Sequence, residues 1–350
     1  MTVAAWIFLH MLLASCAWIQ RRRLTASVLF VAGVACVLIV YRKSPTFDLN
    51  FYLDYFDSLD PKIVGHPVEP FFEWVSVGLS RLGLSAVQIL HFWQVLILML
   101  MVVSVRMIDS NFEYKFIIIF MAASLYYVLA SQNGIRQGVS LCFLLLAFLA
   151  GLRGRWAWAL LLCALCLATH RFSGLFLAIS ILFAVVDNRL SESIVRIRFS
   201  RKIFFYSALG FGVVLYFYVS KYGSVYGDTS IDWGSYRTDP MVKFIALSFL
   251  FVISERLMRP ESLPAKARVL AGFRFYLYLI LFPLSFSGEI FSRVAVFYFL
   301  IEGILMAALL LNDNIRNRLA GGLIMLVYGV APNALNILSS APRQWLSFLE

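Results

Sequence analysis

Charged residues are scarce in this 350-residue chain: only 14% of its residues are charged, whereas 61% are hydrophobic. This balance excludes an ordinary soluble domain, because apolar runs near the roughly 20 residues needed to cross a bilayer recur along the whole chain. The candidate spans are approximately residues 3–19, 24–41, 86–105, 115–131, 135–152, 156–169, 172–187, 203–220, 241–257, 269–286, 290–311 and 319–338. The sequence therefore predicts an all-α, polytopic integral membrane bundle of about twelve transmembrane helices, forming a single domain over residues 1–350.

Cysteine and recognisable catalytic motifs are also scarce. All five cysteines lie in apolar runs, and Cys163 and Cys166 form a C-x-x-C only inside a predicted span. Such cysteines are typical of packing rather than of redox or metal chemistry. The phosphate loop G-x-x-x-x-G-K-[ST] and the nucleophile elbow G-x-S-x-G are both missing, so ATP-driven transport and serine-type acyl transfer lack their expected motifs.

No metal and no cofactor is predicted. Asp54, Asp57 and Asp60 recur every third residue and would share one side of a helix. A solvated helix face explains this spacing better than a cation site, because no histidine or further carboxylate completes an oxygen-rich cage nearby.

Lys and Arg are missing before the first apolar run, and Arg21, Arg22 and Arg23 follow it directly. This order predicts an uncleaved first span with its N-terminus outside. In that orientation the C-terminus is also outside, and the cytoplasmic segments carry eighteen Lys and Arg against eleven in the outer segments. The net charge of +11 is then a topology signal with an attraction to anionic lipid. Nucleic-acid binding has no support, because the basic residues are divided among short loops.

Residues 69–85 have a helical pattern but carry Glu73 and Arg81, so we predict an amphipathic helix on the outer surface. If this segment crossed the membrane, every later loop would change sides. Eleven Lys and Arg would then lie on the cytoplasmic side and eighteen outside. Residues 42–85 then form one long external region, and residues 221–240 form a second external loop. Arg274 and Glu302 are the ionisable residues placed inside spans.

The external segments carry a recognisable series of motifs. In chain order these are "FDLNFYLDYF", "EPFFEW", "NGIRQGVSL" and "THRFSGLF", and "EIFSRVAVFY" fits more loosely. Over residues 40–180 the series resembles the EpsG-like, Wzy-type family of bacterial polysaccharide polymerases. The resemblance implies a glycosyltransferase of the bacterial inner membrane that joins repeat units on the external face. Its donor and acceptor would be undecaprenyl-diphosphate-linked glycans, and a chain-length regulator is a further candidate partner.

A glycosyl transfer that expels a diphosphate must stabilise negative charge on the leaving oxygens. Guanidinium groups do this through paired hydrogen bonds. Four arginines at predicted external span ends are therefore predicted to bind the diphosphate: Arg136, Arg171, Arg237 and Arg293. The alternative for each is a side chain that reaches ordinary phospholipid phosphate, and Arg293 has a second alternative in pairing with Glu289.

The acceptor hydroxyl must lose its proton as it attacks, so a general base is needed nearby. Asp48, Glu69 and His170 are the catalytic candidates, and a histidine suits proton transfer near neutral pH. The alternatives are solvated carboxylates for the first two and a hydrogen-bonded interfacial residue for His170.

Aromatic and amide side chains near these positions suit sugar rings, which stack on aromatic faces while their hydroxyls find polar partners. An ordinary interfacial aromatic belt is the alternative. The predicted substrate-binding residues are Tyr52, Asn133, Gln137, Tyr236 and Glu289.

Other activities stay open: an O-antigen ligase, a lipid-phosphate-dependent glycosyltransferase, or a flippase or transporter of lipid-linked oligosaccharide. A transporter should carry polar residues along a path through the membrane.

Overall fold

A computed structural model describes residues 47–59, 69–108, 134–186, 201–222, 240–285, 288–310 and 312–325. The described residues form helices joined by turns, with no strand among them, so the all-α prediction is confirmed for this part of the chain. The predicted spans at 3–19, 24–41 and 115–131 lie outside the described residues.

The helices are α1 (Phe47–Ser58), α2 (Pro70–Arg81), α3 (Ala86–Ile108), α4 (Ile135–Gly151), α5 (Trp156–Thr169), α6 (Ser173–Val186), α7 (Arg201–Tyr222), α8 (Pro240–Leu257), α9 (Ala265–Leu284), α10 (Gly288–Leu310) and α11 (Ile315–Met325). A short 3-10 turn, Pro260–Ser262, lies between α8 and α9.

By length and apolar composition, α3 and α9 are the described helices that could each cross a membrane. Shorter apolar helices are Ile135–Gly151, Trp156–Thr169, Ser173–Ala184, Phe205–Phe217 and Val294–Leu310. The described residues therefore do not confirm a count of twelve spans, although the apolar helices lie where the sequence places spans.

Helix α2 is docked against α3 by an aromatic and hydrogen-bonded contact. The rings of Phe72 and Trp93 stack with centroids 4.5 Å apart. The indole Nε1 of Trp93 also donates a hydrogen bond of 3.2 Å to Ser76 Oγ. The turn between the two helices contains Gly83 at φ +86°, which glycine adopts without strain. Ser85 N then donates to Gln88 Oε1 at 2.8 Å, a capping-box contact that begins α3. These contacts fix where the N-terminus of α2 lies.

The end of the bundle at which α3 finishes is held together by basic residues. The carbonyl oxygen of Met107 accepts hydrogen bonds from Arg153 Nη2 at 2.8 Å and from Lys266 Nζ at 2.9 Å. Cations are favourable at the carboxyl end of a helix, where carbonyl groups lack intrahelical partners. Because Arg153 follows the last residue of α4, the first residue of α4 lies at the opposite end of the bundle, which we call the Arg136 end.

Helices α7 and α9 approach closely at a glycine. A Cβ atom added to Gly212 would lie 2.8 Å from the carbonyl oxygen of Ile280 and would overlap the ring of Pro283. Gly210, one half-turn away on the exposed side of α7, has no such neighbour within 4 Å. The absence of a side chain at Gly212 therefore permits this helix contact.

Replacing Gly212 with Ala should destabilise the folded protein by about 1–3 kcal/mol, because the added methyl group overpacks the contact with α9. Replacing Gly210 with Ala is the matched control, and it should leave stability unchanged or raise it by about 0.5–1 kcal/mol through helix propensity. Thermal unfolding of both variants in detergent measures the difference. Equal unfolding temperatures for the two variants would contradict the close approach of α7 and α9.

A charged cluster joins α8, α9 and α10 inside the bundle. The guanidinium of Arg274, 1% exposed, donates to Glu302 on α10 and to both Glu255 and Ser254 on α8. Its central carbon lies 4.5 Å from the ring centre of Phe251. The two residues that the sequence places inside spans, Arg274 and Glu302, are therefore paired with each other. Glu255, near the last residue of α8, belongs to the same cluster.

Candidate functional site

Three separate parts of the chain meet at the carboxylate of Glu69. Glu69 Oε2 accepts a hydrogen bond of 2.8 Å from Arg136 Nη1, which forms an ion pair between the start of α2 and the start of α4. Glu69 Oε1 accepts a second hydrogen bond of 3.2 Å from the backbone N–H of Arg171. We call this assembly the Glu69 site.

The local sequence explains why Glu69 is available for these contacts. Glu69 occupies the N-cap position of α2, and Pro70 at the first helical position presets the backbone entry. Its side chain makes no capping hydrogen bond within its own helix. Because Phe72 and Ser76 dock α2 on α3 through Trp93, the carboxylate is directed across the bundle instead of along α2.

Arg136 lies in the first turn of α4, and its side chain is 20% exposed. The side chain of Tyr52 on α1 also interacts electrostatically with the Arg136 guanidinium. A guanidinium carries five N–H donors in a fixed plane, so Glu69 satisfies only part of its capacity. Glu69 therefore holds the Arg136 side chain through Nη1. The remaining N–H donors of this partly exposed guanidinium can bind an anionic ligand.

His170 and Arg171 form the turn between α5 and α6. His170 is the C-cap residue of α5 in an extended conformation, and its backbone N–H donates to Cys166 O at 3.1 Å. Its ring contacts Phe172 edge to face, with centroids 6.3 Å apart. The side chain of Arg171 is exposed, whereas its backbone N–H is fixed by Glu69. The backbone of this turn is thus tied to the carboxylate that also holds Arg136.

A buried polar cluster lies beneath this site. Ser140 Oγ, one turn after Arg136, donates to Cys166 O at 2.8 Å and lies 2.5 Å from Ser173 Oγ. These residues come from α4, α5 and α6 and are fully buried. Cys166 is predicted from sequence to be a packing residue, whereas no role is predicted for Ser140 or Ser173. The cluster ties together the three helices whose ends carry Arg136, His170 and Arg171.

Tyr55 and Glu73 contribute further polar groups near the Glu69 site. The phenol of Tyr55 on α1 is buried, and no group among the described residues makes a hydrogen bond with its hydroxyl. Burial raises the pKa of Tyr55 to about 12; Glu73 adds to this effect and Arg136 opposes it. Tyr55 is therefore neutral at physiological pH. Glu73 lies one turn after Glu69 on α2 and is half-buried.

The remaining predicted residues fall in three groups. Gln137 follows Arg136 on α4 and is half-buried. Asp48 lies in α1, and Glu289 and Arg293 lie in α10, but the described structure fixes only their backbone. Asn133, Tyr236 and Arg237 lie outside the described residues. The structure thus brings together Glu69, Arg136, Tyr52 and the backbone of Arg171, which adjoins His170, and all the predicted site roles stay predictions.

The apolar helices of the described bundle point to a membrane protein, and the Glu69 site lies at one end of that bundle. The EpsG family model matches residues 25–349, which is nearly the whole chain, and the chain belongs to the EpsG family. EpsG-like proteins are Wzy-type polysaccharide polymerases, so the family places this membrane protein in polysaccharide biosynthesis. No curated protein and no solved structure matches the chain.

Proposed function

We propose that this protein polymerises undecaprenyl-diphosphate-linked oligosaccharide repeat units on the external face of the bacterial inner membrane. The observation that carries the proposal is the Glu69 site, where Glu69 pairs with the Arg136 guanidinium and also accepts a hydrogen bond from the backbone of the His170–Arg171 turn. A held arginine, with a second arginine and a histidine in the adjoining turn, supplies the groups needed by a reaction that expels a diphosphate and removes a proton. In this proposal the Arg136 end faces outward, and both chain termini are external.

In the proposed reaction the acceptor hydroxyl oxygen forms a bond to the anomeric carbon of the donor. The bond from that carbon to the diphosphate oxygen breaks, and undecaprenyl diphosphate leaves with the bonding electrons. Arg136 and Arg171 stabilise the charge that develops on the leaving oxygens, and Arg237 and Arg293 are further candidates for the same role. The hydroxyl proton passes to a base of the protein.

We assign the role of the base to His170. Both oxygens of Glu69 already accept hydrogen bonds, so we assign Glu69 to the positioning of Arg136 and the Arg171 backbone. Asp48 stays a second candidate for the base. Tyr52 interacts with Arg136 and Gln137 follows it on α4, so these two side chains are placed to contact the sugar adjoining the diphosphate.

Reconstitution of the purified protein with a lipid-linked repeat unit tests the proposal. A ladder of longer glycans on the lipid carrier is the expected product. Movement of the substrate across the bilayer without lengthening would contradict polymerisation and identify a transporter. Transfer to a supplied lipid A core in place of lengthening would identify a ligase.

Replacing His170 with Gln should lower the rate of glycan lengthening by about a hundredfold or more, because a general base contributes roughly 10²–10⁴ to a rate. A base acts only when deprotonated, so the wild-type rate should fall as the pH is lowered, and the variant should lose this dependence. Donor binding should stay unchanged. The pH profile of single-turnover lengthening checks the assignment, and an unchanged acidic limb in the variant would exclude His170 as the base.

A further inference from the structure

The charged cluster around Arg274 has an unequal number of positive and negative groups. Arg274 supplies one cation, whereas Glu255 and Glu302 supply two carboxyl groups. The remaining polar members, Ser254 and Tyr298, are neutral hydroxyls. If both carboxyl groups were ionised, the cluster would carry a net negative charge.

The surroundings make such a charge costly. The side chains of Arg274 and Glu302 are each 1% exposed, and the helices that carry them are largely apolar. An uncompensated charge in an apolar interior is strongly disfavoured, and a buried group neutralises by binding or releasing a proton. Glu255 is less buried, because its side chain is 30% exposed, so it provides a path for protons between the cluster and the protein surface.

The hydrogen bonds of Glu302 reach only one of its two carboxyl oxygens. Its Oε1 atom accepts from Arg274 Nε and from the Tyr298 hydroxyl, at 2.5 Å in the second case. Its Oε2 atom is buried and has no hydrogen-bond partner within the described part of the chain. Helices α3, α4 and α11 also contact α10, yet none of their described residues contributes an ion pair to Glu302. One oxygen of a sealed carboxyl group therefore lacks a donor.

We propose that the Glu255–Arg274–Glu302 cluster is a proton-binding site that holds one proton between its two carboxyl groups at neutral pH. With this proton the cluster is electrically neutral: one carboxylate pairs with Arg274, and the other carboxyl group is a neutral acid. Because Glu255 and Glu302 contact the same guanidinium, the two carboxyl groups share the proton, and it is not assigned to either residue alone. Proton exchange with the surface takes place through Glu255. This site is separate from the Glu69 site and serves to keep α8, α9 and α10 joined without a buried net charge.

Charge balance predicts how three variants should behave. In Glu255→Gln or Glu302→Gln, the remaining carboxylate balances Arg274, so each single variant should fold with a yield within about twofold of wild type. In the double variant Arg274 has no carboxylate partner, and its folded yield should fall by about tenfold or more because an isolated buried cation remains. The folded yield of these three variants does not depend on polymerase activity.

Infrared difference spectroscopy of the purified protein in lipid detects the proton directly. At neutral pH, the wild type should show the C=O stretching band of a protonated carboxylic acid, shifted in D₂O, that is missing from both single variants. Absence of that band from the wild type, or its persistence in both variants, would overturn the proposal. A double variant that folds as well as the single variants would overturn it as well.

Discussion

Replacing Arg136 with Lys should lower the rate of glycan lengthening by about a hundredfold or more. Lysine keeps the positive charge but replaces a planar fork of donors with a single ammonium group, which cannot both pair with Glu69 and bind a diphosphate in the same way. Loss of one fixed donor that stabilises a developing oxyanion typically costs about 10²–10³ in rate. Single-turnover lengthening of a lipid-linked repeat unit measures the effect.

The matched control is Arg81→Lys. Arg81 is exposed at the last residue of α2 and lies outside the Glu69 site. This variant should lengthen glycans at the wild-type rate. If Arg136→Lys were as active as Arg81→Lys, the planar guanidinium of Arg136 would have no part in the reaction, and the proposed diphosphate site would have to be placed elsewhere.

Replacing Arg274 with Met should cost about 3–5 kcal/mol of stability, because removing one partner of a buried ion pair leaves the other charge uncompensated. Here two carboxyl groups, Glu255 and Glu302, lose the same cation. The contact of the guanidinium with the Phe251 ring is lost as well. We expect little folded protein at ordinary temperature, measured by size-exclusion chromatography and thermal unfolding in detergent.

Arg316→Met is the control for this experiment, because Arg316 is exposed at the start of α11. Its folded yield and unfolding temperature should match those of the wild type. An Arg274→Met variant that unfolds at the same temperature as this control would show that the cluster does not hold α8, α9 and α10 together.

Helix positions could be predicted from the sequence where apolar runs have clear polar limits. Helix α5 occupies residues 156–169 in both the prediction and the structure, because Arg155 and His170 bound an almost uninterrupted apolar run. Helix α1 lies within residues 42–85, which are predicted from sequence to form one long external region. Its buried residues Tyr52, Tyr55 and Phe56 recur at helical spacing, which is the pattern that indicates a packed helix.

Contacts between distant residues could not be predicted in the same way. Glu69 and Arg136 are 67 residues apart, and Glu69 and Arg171 are 102 residues apart. The sequence identified these residues as candidates through their chemistry and predicted location. Their pairing depends on how Trp93 docks α2, which periodicity does not encode. From sequence, Glu69 is predicted as a base. Because both of its carboxylate oxygens accept hydrogen bonds, we propose a positioning role for it instead.

The contacts of the buried charged residues could not be predicted from the sequence either. Arg274 and Glu302 are visible in the sequence as ionisable residues within apolar runs, and such residues require partners. Glu255 lies at the polar end of α8 and looks like a residue of a solvated loop. Only the crossing of α8 with α9 brings it to Arg274. The pairing accounts for these mid-helix charges without a transport path.

The proposed function requires the Glu69 site to bind the diphosphate of the lipid-linked donor. An experimental structure of the purified protein in lipid with a non-hydrolysable undecaprenyl-diphosphate sugar tests it most directly. Phosphate oxygens should lie within hydrogen-bond distance of the Arg136 guanidinium, at the end of the bundle where His170 and Arg171 lie. A diphosphate bound away from Arg136, with the Glu69 site empty, would contradict it.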